Sequence, residues 1–529
     1  MKRLSGLKPL TILDLAAFCA MAGLLFAKAW TDMDYNWDSL AYHVPFAALR
    51  TGLVSRDQYI LPPSLQAVYD GFPVVQDYLK GWLWKFSGNV NAVNLPTVAA
   101  LVGMCVALAA MLRLSFSLCL IAAMAIPVIH VAAAKNYVDL ISNAAFATAL
   151  VFILDSFMNT QRVHGRNLVV VVAGAVIAAS VKPQFVILSL CLLAAVVAYN
   201  LWFFRRRPLA AFERPEWINW SMIVVGVGLV LIIPIRNLYT FGNPLYPVAW
   251  SLFGHSFPGP YPASLSANWD PAYLRGTAQP LKWILSILEF HALDSRYTPY
   301  TLGMADVGPD AKSLRMGGYF GFYVVFNLLV LAYIVFRKRD RRAYLFAAAF
   351  LIGSVATASL PASHELRYFS YWMLLLVFAN IYFVFGSYFP DPTLRFVLFA
   401  AAISATTFIV MVSGGRYIVP VGETLRATFN GLQIKEKFVG KFEPGHVYCL
   451  VNWGQFHLLA APGLAAPAER PYTVQVAHHG REECRPGSES RRFHSLERDD
   501  FSSGRHPALP LCLRMIFSEN RSPLFGIML

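Results

Sequence analysis

Four side chains able to handle protons and anions stand close together in the stretch YNWDSLAYHVPFAALRTG, residues 35–52: Asp38, Tyr42, His43 and Arg50. Asp32 and Asp34 lie just upstream, so three carboxylates fall within a few residues. Crowding and partial burial raise a carboxyl toward the range a general base needs. Asp38 is also a suitable N-cap, because Leu40, His43, Val44, Ala47 and Ala48 recur behind it at helical spacing until Gly52. Pro45 removes one bond from that helix. His43 could bond a substrate or a phosphate, or simply pack against the next helix.

Other candidates are scattered along the chain. KNYVDLISNAAF carries a second acid, Asp139; SVKPQF carries Lys182; IPIRNLYTFGNPLYP carries Arg236 with Asn237; SHELRYFSYW carries His364, Glu365 and Arg367. An acid at the mouth of a membrane span is expensive and tends to be functional. Lys135, Lys182, Arg236 and Arg367 would be cations at span ends on the side where the positive-inside rule disfavours them. They need a local anion, and a lipid phosphate is the natural one. No Walker-type or dinucleotide-type glycine motif and no internal repeat is visible.

The elements that must position these residues are membrane helices. The chain has 529 residues, 57% hydrophobic and 14% charged, with a mean hydropathy of +0.50. Apolar runs recur at 10–30, 94–112, 116–134, 138–158, 167–181, 184–203, 219–236, 317–336, 343–360, 368–387 and 394–413. That predicts an all-α polytopic membrane protein of about eleven spans. The first run follows Met-Lys-Arg but is long for a signal h-region and contains Asp14, so it reads as an uncleaved helix. The net charge of +14 does not indicate nucleic acid, because the cations sit at helix ends. Lys2, Arg3 and Lys8, then Arg113, Arg162, Arg166, Arg205 to Arg207 and RKRDRR all fall on one side, which makes the N-terminus cytoplasmic.

The opposite, outward side then receives a first loop at 31–93, a second long segment at 237–316 and the tail 414–529, leaving 1–413 as the membrane domain. Within the first loop, 74–86 predicts an aromatic helix lying at headgroup level, with Tyr78, Trp82, Trp84 and Phe86. LKWILSILEF is too short to cross and predicts an interfacial or re-entrant helix. In the tail, HVYCLVNWGQFHLLAAPG and PYTVQVAHHG read as strands of a small α/β or β module. Cys19, Cys105, Cys119 and Cys191 are apolar filler within spans. Of the tail cysteines Cys449, Cys484 and Cys512, the first two are the expected pair.

Taken in order, these motifs resemble bacterial polytopic glycosyltransferases of the GT-C class, related to the dolichyl-phosphate-mannose protein mannosyltransferase-like enzymes of the family 39/83 type. The stretch WDSLAYHVPFAALRTG is similar to the family pattern D-x-x-x-YHLP…R-x-x-x-TG, and YVDL, KPQ, RNLYTFGNPLYP and ELRYF follow. The resemblance covers roughly 1–413. It implies a GT-C-like membrane domain in the bacterial inner (cytoplasmic) membrane, with a polyprenyl-phosphate sugar as donor. The acceptor would be a glycan, a lipid or a protein on the extracytoplasmic face. Asp38 takes the position of the catalytic acid; Asp32 and Asp34 compete with it, and the adjacent Asp-Glu pair common among related enzymes is absent.

The mechanism so implied is inverting single displacement with Asp38 as base. Asp139 would help by binding acceptor, sugar or a divalent cation such as Mg or Mn; no other cofactor is implied. Tyr42, His43, Arg50, Lys182, Arg236, Asn237, His364, Glu365 and Arg367 would bind substrate, with Arg236, Lys182 and Arg367 facing the departing phosphate. On this reading Asp38→Asn abolishes turnover and leaves the fold intact. The rival readings are a transporter or flippase of lipid-linked saccharides, which favours repeats and midplane charges, and a non-catalytic scaffold whose tail binds cell-wall material.

Overall fold

The computed structural model describes residues 9–492 apart from 35–37, 160, 207–215, 263–275, 289–320 and 387–390, and apart from all but isolated residues of 423–441, 452–471 and 478–487. The expected second long segment therefore lies partly outside the described residues, as does Cys512.

Helices dominate. In chain order they are α1 (Pro9–Thr31), α2 (Val44–Arg50), α3 (Pro63–Gly71), α4 (Val75–Ser87), α5 (Leu95–Leu112), α6 (Phe116–Met124), α7 (Pro127–Ala132) and α8 (Val138–Met158). There follow α9 (Gly165–Val181), α10 (Gln184–Arg206), α11 (Glu216–Phe241), α12 (Gln279–Leu288), α13 (Gly321–Lys338), α14 (Arg341–Ser359), α15 (Tyr371–Phe385) and α16 (Pro392–Val412). Seven helices among the described residues are long and apolar enough to cross a membrane: α1, α5 with the turn before it, α8, α10, α11, α14 and α16. The shorter apolar helices α9, α13 and α15 accompany them. The chain is a helical membrane protein, with lipid-sized apolar helices carrying exposed Val, Leu and Phe on their outer faces.

The expected span 116–134 is not one helix. It breaks at Ala125–Ile126, where Ile126 is extended and Pro127 starts α7. Proline disfavours a helical residue before it, which is enough to end α6.

Polar contacts sort the helix termini to two ends. At the far end, Asp14 of α1 accepts from the N–H groups of Phe116 and Ser117 at 3.0 Å, which caps α6 from outside. Asn200 of α10 bonds the backbone of Val163, and the Tyr382 hydroxyl donates to Asp155 at 2.6 Å. At the near end, the Thr97 hydroxyl donates to Tyr137 O, Asn136 N–H to Asp34, Arg236 to Asp70 O and Val421 N–H to Asp32. The helices thus alternate in direction. The broken pair α6 and α7 together runs from the far end to the near end.

The near end is roofed by a small mixed assembly. β1 (Tyr59–Ile60) comes from the first loop; β2 (Val248–Leu252), β3 (His255–Phe257) and β4 (Tyr261–Pro262) follow α11; β5 (Val447–Val451), β6 (Thr473–Ala477) and β7 (Glu489–Arg492) belong to the tail. β1, β6, β5 and β7 form one parallel sheet in that order, with Tyr59 opposite Val474 and Tyr448 opposite Val474 on the other side. Met33, Phe46, Tyr59 and Tyr69 of the first loop share one apolar core with Tyr448, Tyr472 and Val474 of the tail. One apolar core thus draws on residues from both sides of the boundary expected at 413. Cys449 and Cys484 form the expected disulfide, with Cα atoms 5.8 Å apart.

Candidate active site

The opening cluster folds differently from its sequence reading. Asp38 has helical backbone angles and makes no side-chain cap bond. Ser39–His43 form a π turn, closed by Val44 N–H donating to Ser39 O, and α2 continues from it. Pro45 has no N–H to give, so the register shift just before it leaves fewer bonds to lose. The wide turn also frees the Asp38 carboxylate. Its Oδ2 accepts from Arg367 Nη1 at 2.8 Å, and both residues are buried.

Arg367 stands on a short turn, Leu366–Phe369, between α14 and α15. Glu365 Oε2 lies 3.8 Å from its Nε, and its guanidinium lies 5.1 Å from the Tyr368 ring and 5.2 Å from the Tyr137 ring. Asn143 of α8 locks this turn to the acid on the same helix. Its amide nitrogen donates to Asp139 O at 2.7 Å and Arg367 O at 2.9 Å, while its oxygen accepts from Tyr371 N–H at 2.8 Å.

Asp139 opens α8 and ion-pairs with Lys182, the residue between α9 and α10. Lys182 also lies over the Tyr368 ring, 3.5 Å from its centre. Two acid-cation pairs, Asp38 with Arg367 and Asp139 with Lys182, are thereby joined through the Tyr368 ring. A small, partly open cleft beside them is lined by Asp38, Tyr42, His43, Asp139 and Lys182, together with Phe72 and Gln76.

Burial sets the electrostatics. It pulls the Lys182 ammonium well below the ordinary lysine range; the Arg367 charge adds to that, and Asp38 and Glu365 oppose it. Burial likewise holds His43 well below its usual value, helped by the nearby charges of Lys80, Lys182 and Arg367, so its imidazole is neutral at pH 7. Tyr42 is raised well above the phenol range by burial and then by Asp38, to which its hydroxyl is hydrogen-bonded. It remains a neutral hydrogen-bonding group.

The other expected residues lie apart from these pairs. Arg50, Arg236 and Asn237 hold three consecutive backbone carbonyls. Arg50 Nη2 donates to Tyr69 O and stacks 3.8 Å over the Tyr69 ring. Arg236 Nη2 donates to Asp70 O at 2.6 Å, and Asn237 Nδ2 to Gly71 O at 2.8 Å. Arg236 also donates to Asn237 Oδ1. Arg236, expected beside the phosphate with Lys182, here helps hold the end of α3. His364 bonds Gln279 of α12 at 3.1 Å. Asp32 pairs with Lys28 and receives the N–H groups of Val421 and Gly422, and Asp34 receives Ser39 and Asn136. Both rivals of Asp38 thus have structural partners.

Several residues here escaped the sequence reading. Gln76, Asp77, Lys80 and Gly81 lie on the buried face of α4; so does Trp84, which was expected with the headgroup-level aromatics, whereas Tyr78, Trp82 and Phe86 are exposed. Lys80 is fully buried and donates to Asn136 O at 3.0 Å. Burial lowers its ammonium and raises the Asp77 carboxyl, each opposed by the other's charge. The signal was the spacing of Asp77 and Lys80, two charged residues about one turn apart behind the aromatic stripe. Tyr137 and Tyr368 sat inside quoted motifs, yet nothing in their type marked them as seats for cations.

Among the described residues no group of three or more His, Cys, Asp or Glu is placed to hold a divalent cation, and Asp38 and Asp139 each face a cationic side chain. No known protein family matches the chain. No characterised protein matches it either.

Proposed function

We propose that the protein is a membrane glycosyltransferase that moves a sugar from a polyprenyl-phosphate donor to an acceptor hydroxyl at the near end of the helix bundle. The observation that carries the reading is the pair of acid-cation contacts, Asp38 with Arg367 and Asp139 with Lys182, side by side on one cleft. Transfer between a lipid phosphate and a hydroxyl needs a carboxylate for the proton and a cation for the leaving phosphate within one sugar's width. Order along the chain of the motifs WDSLAYHVPF, YVDL, KPQ and ELRYF supports the GT-C resemblance.

In the proposed reaction the acceptor oxygen bonds to the anomeric carbon as the bond from that carbon to the phosphate oxygen breaks. The hydroxyl proton goes to the Asp38 carboxylate, and polyprenyl phosphate leaves with the electron pair. Arg367 orients Asp38 and keeps its negative charge compensated; Lys182 exchanges Asp139 for the phosphate. Asp139, released, is available to an acceptor hydroxyl. Neutral His43 and Tyr42 supply hydrogen bonds without adding charge.

Counting α6 with α7 as one crossing gives eleven, which returns the first loop and the tail to one side, as their common sheet requires. The cationic clusters at the opposite helix ends support reading that side as extracytoplasmic, and the GT-C resemblance makes the membrane a bacterial inner one. The Cys449–Cys484 disulfide suits the oxidising compartment found there.

The test is release of free polyprenyl phosphate from polyprenyl-phosphate sugars by purified protein, with membrane extract supplying acceptors. Wild type should release it and label an acceptor, and Asp38→Asn should lose at least about a hundredfold in rate. An intact wild-type protein that releases nothing from any donor would instead favour a carrier of lipid-linked saccharides.

A further inference from the structure

Two residues with no part in the transfer chemistry also line the cleft. Phe72 follows the last residue of α3, and Gln76 stands in the first turn of α4. Gln76 is only 6% exposed, and its Oε1 is buried without a hydrogen-bond partner. An amide oxygen taken out of water in this way has lost a bond that nothing among the described residues replaces. In a cleft wall, a ligand donor replaces it.

The chemistry of that donor follows from the group. A carboxamide is neutral and offers an acceptor and donors side by side, whichever way round it is turned. That matches a hydroxyl, which both gives and takes a hydrogen bond, better than a phosphate, which only accepts. Four residues earlier, Phe72 also lines the cleft and packs partly against the apolar core of the first loop. A flat apolar surface beside a neutral amide suits a ring with C–H bonds on its face and hydroxyls at its edge.

The approach to Phe72 is held unusually firmly. Tyr69, Asp70 and Gly71, the three residues before it, each have their carbonyl taken by Arg50, Arg236 or Asn237. A Cβ on Gly71 would come within 2.6 Å of Tyr246 O, so the backbone there is pressed against the segment following α11. Such restraint fixes where the ring stands.

We infer that Phe72 and Gln76 form the sugar-ring subsite of the cleft, with Gln76 hydrogen-bonding a ring hydroxyl of the donor. Arg50, Arg236 and Asn237 are then positioning residues for that wall. This rests on the glycosyltransferase reading and adds to it where the transferred sugar lies.

The test compares binding of bare polyprenyl phosphate with binding of a panel of polyprenyl-phosphate hexoses and pentoses to the purified full-length protein. Wild type should bind its preferred sugar-bearing lipid about tenfold tighter than the bare one. Gln76→Met should erase that preference and leave affinity for bare polyprenyl phosphate unchanged; Phe72→Leu should reduce it likewise and serves if the first variant does not fold. A variant pair that keeps the full preference overturns the subsite, as does a wild type that binds bare and sugar-bearing lipids equally. Wild type that shows the preference yet never releases polyprenyl phosphate sinks the transfer reading alone and leaves the subsite standing.

Discussion

At the residue scale, the partner of Asp38 changes what its replacement should do. From sequence, Asp38→Asn was expected to spare the fold. Arg367, however, is buried against it, 2.8 Å away. Removing one member of a buried ion pair leaves an uncompensated charge and costs about 3–5 kcal/mol where nothing else relieves it. Glu365 and the rings of Tyr137 and Tyr368 remain near the guanidinium and soften the loss. Asp38→Asn should therefore lower the melting temperature as well as turnover. The double variant Asp38→Asn, Arg367→Met should regain much of the stability and none of the activity. A double variant with wild-type turnover would remove Asp38 from the chemistry; one no more stable than Asp38→Asn would show that the pair's burial is not what the single change disturbs.

At the element scale, what was legible was whatever a single period could encode. The apolar helices, the short helix α12 and the tail strands β5 and β6 stand where their patterns put them. The break between α6 and α7 was missed because 116–134 is uniformly apolar, and hydropathy does not register a backbone turn at Ile126. The π turn was missed because Asp38, read by type, is a good cap, and only contact with a residue 329 positions away gives it another job. The clamp on α3 was misread for the same reason: cations near a membrane look alike until their acceptors are known. Packing of α4 on α2 offers a direct check. A Cβ on Gly81 would stand 2.4 Å from Ala47 O and 2.5 Å from the Thr51 methyl. Gly81→Ala, normally favourable in a helix, should instead destabilise by about 1–3 kcal/mol and weaken donor use by shifting Gln76. Wild-type thermal stability in that variant would mean that the two helices are less tightly joined than they look.

At the scale of the whole molecule, the first loop and the tail are one unit. Tyr59 pairs in the sheet with Val474, its hydroxyl bonds the buried His457, and both segments fill one core. Truncation after Ser413 should therefore cost more than a dispensable appendage would: exposed Tyr59 and Tyr69, a lower melting temperature and lost transfer. A truncated protein that melts and turns over like the full chain would restore the boundary expected from sequence. The same pairing has a bearing on how the protein is made. His457 follows Tyr59 by 398 residues, which at ordinary synthesis rates of about 5–20 residues per second is roughly 20–80 seconds. Throughout that interval β1 waits with its sheet partner not yet made, while the helices between are threaded into the bilayer. That sheet is thus completed late, so a chain cut short or stalled in translation carries Asp38 and Asp139 without the sheet that fills the core of the first loop.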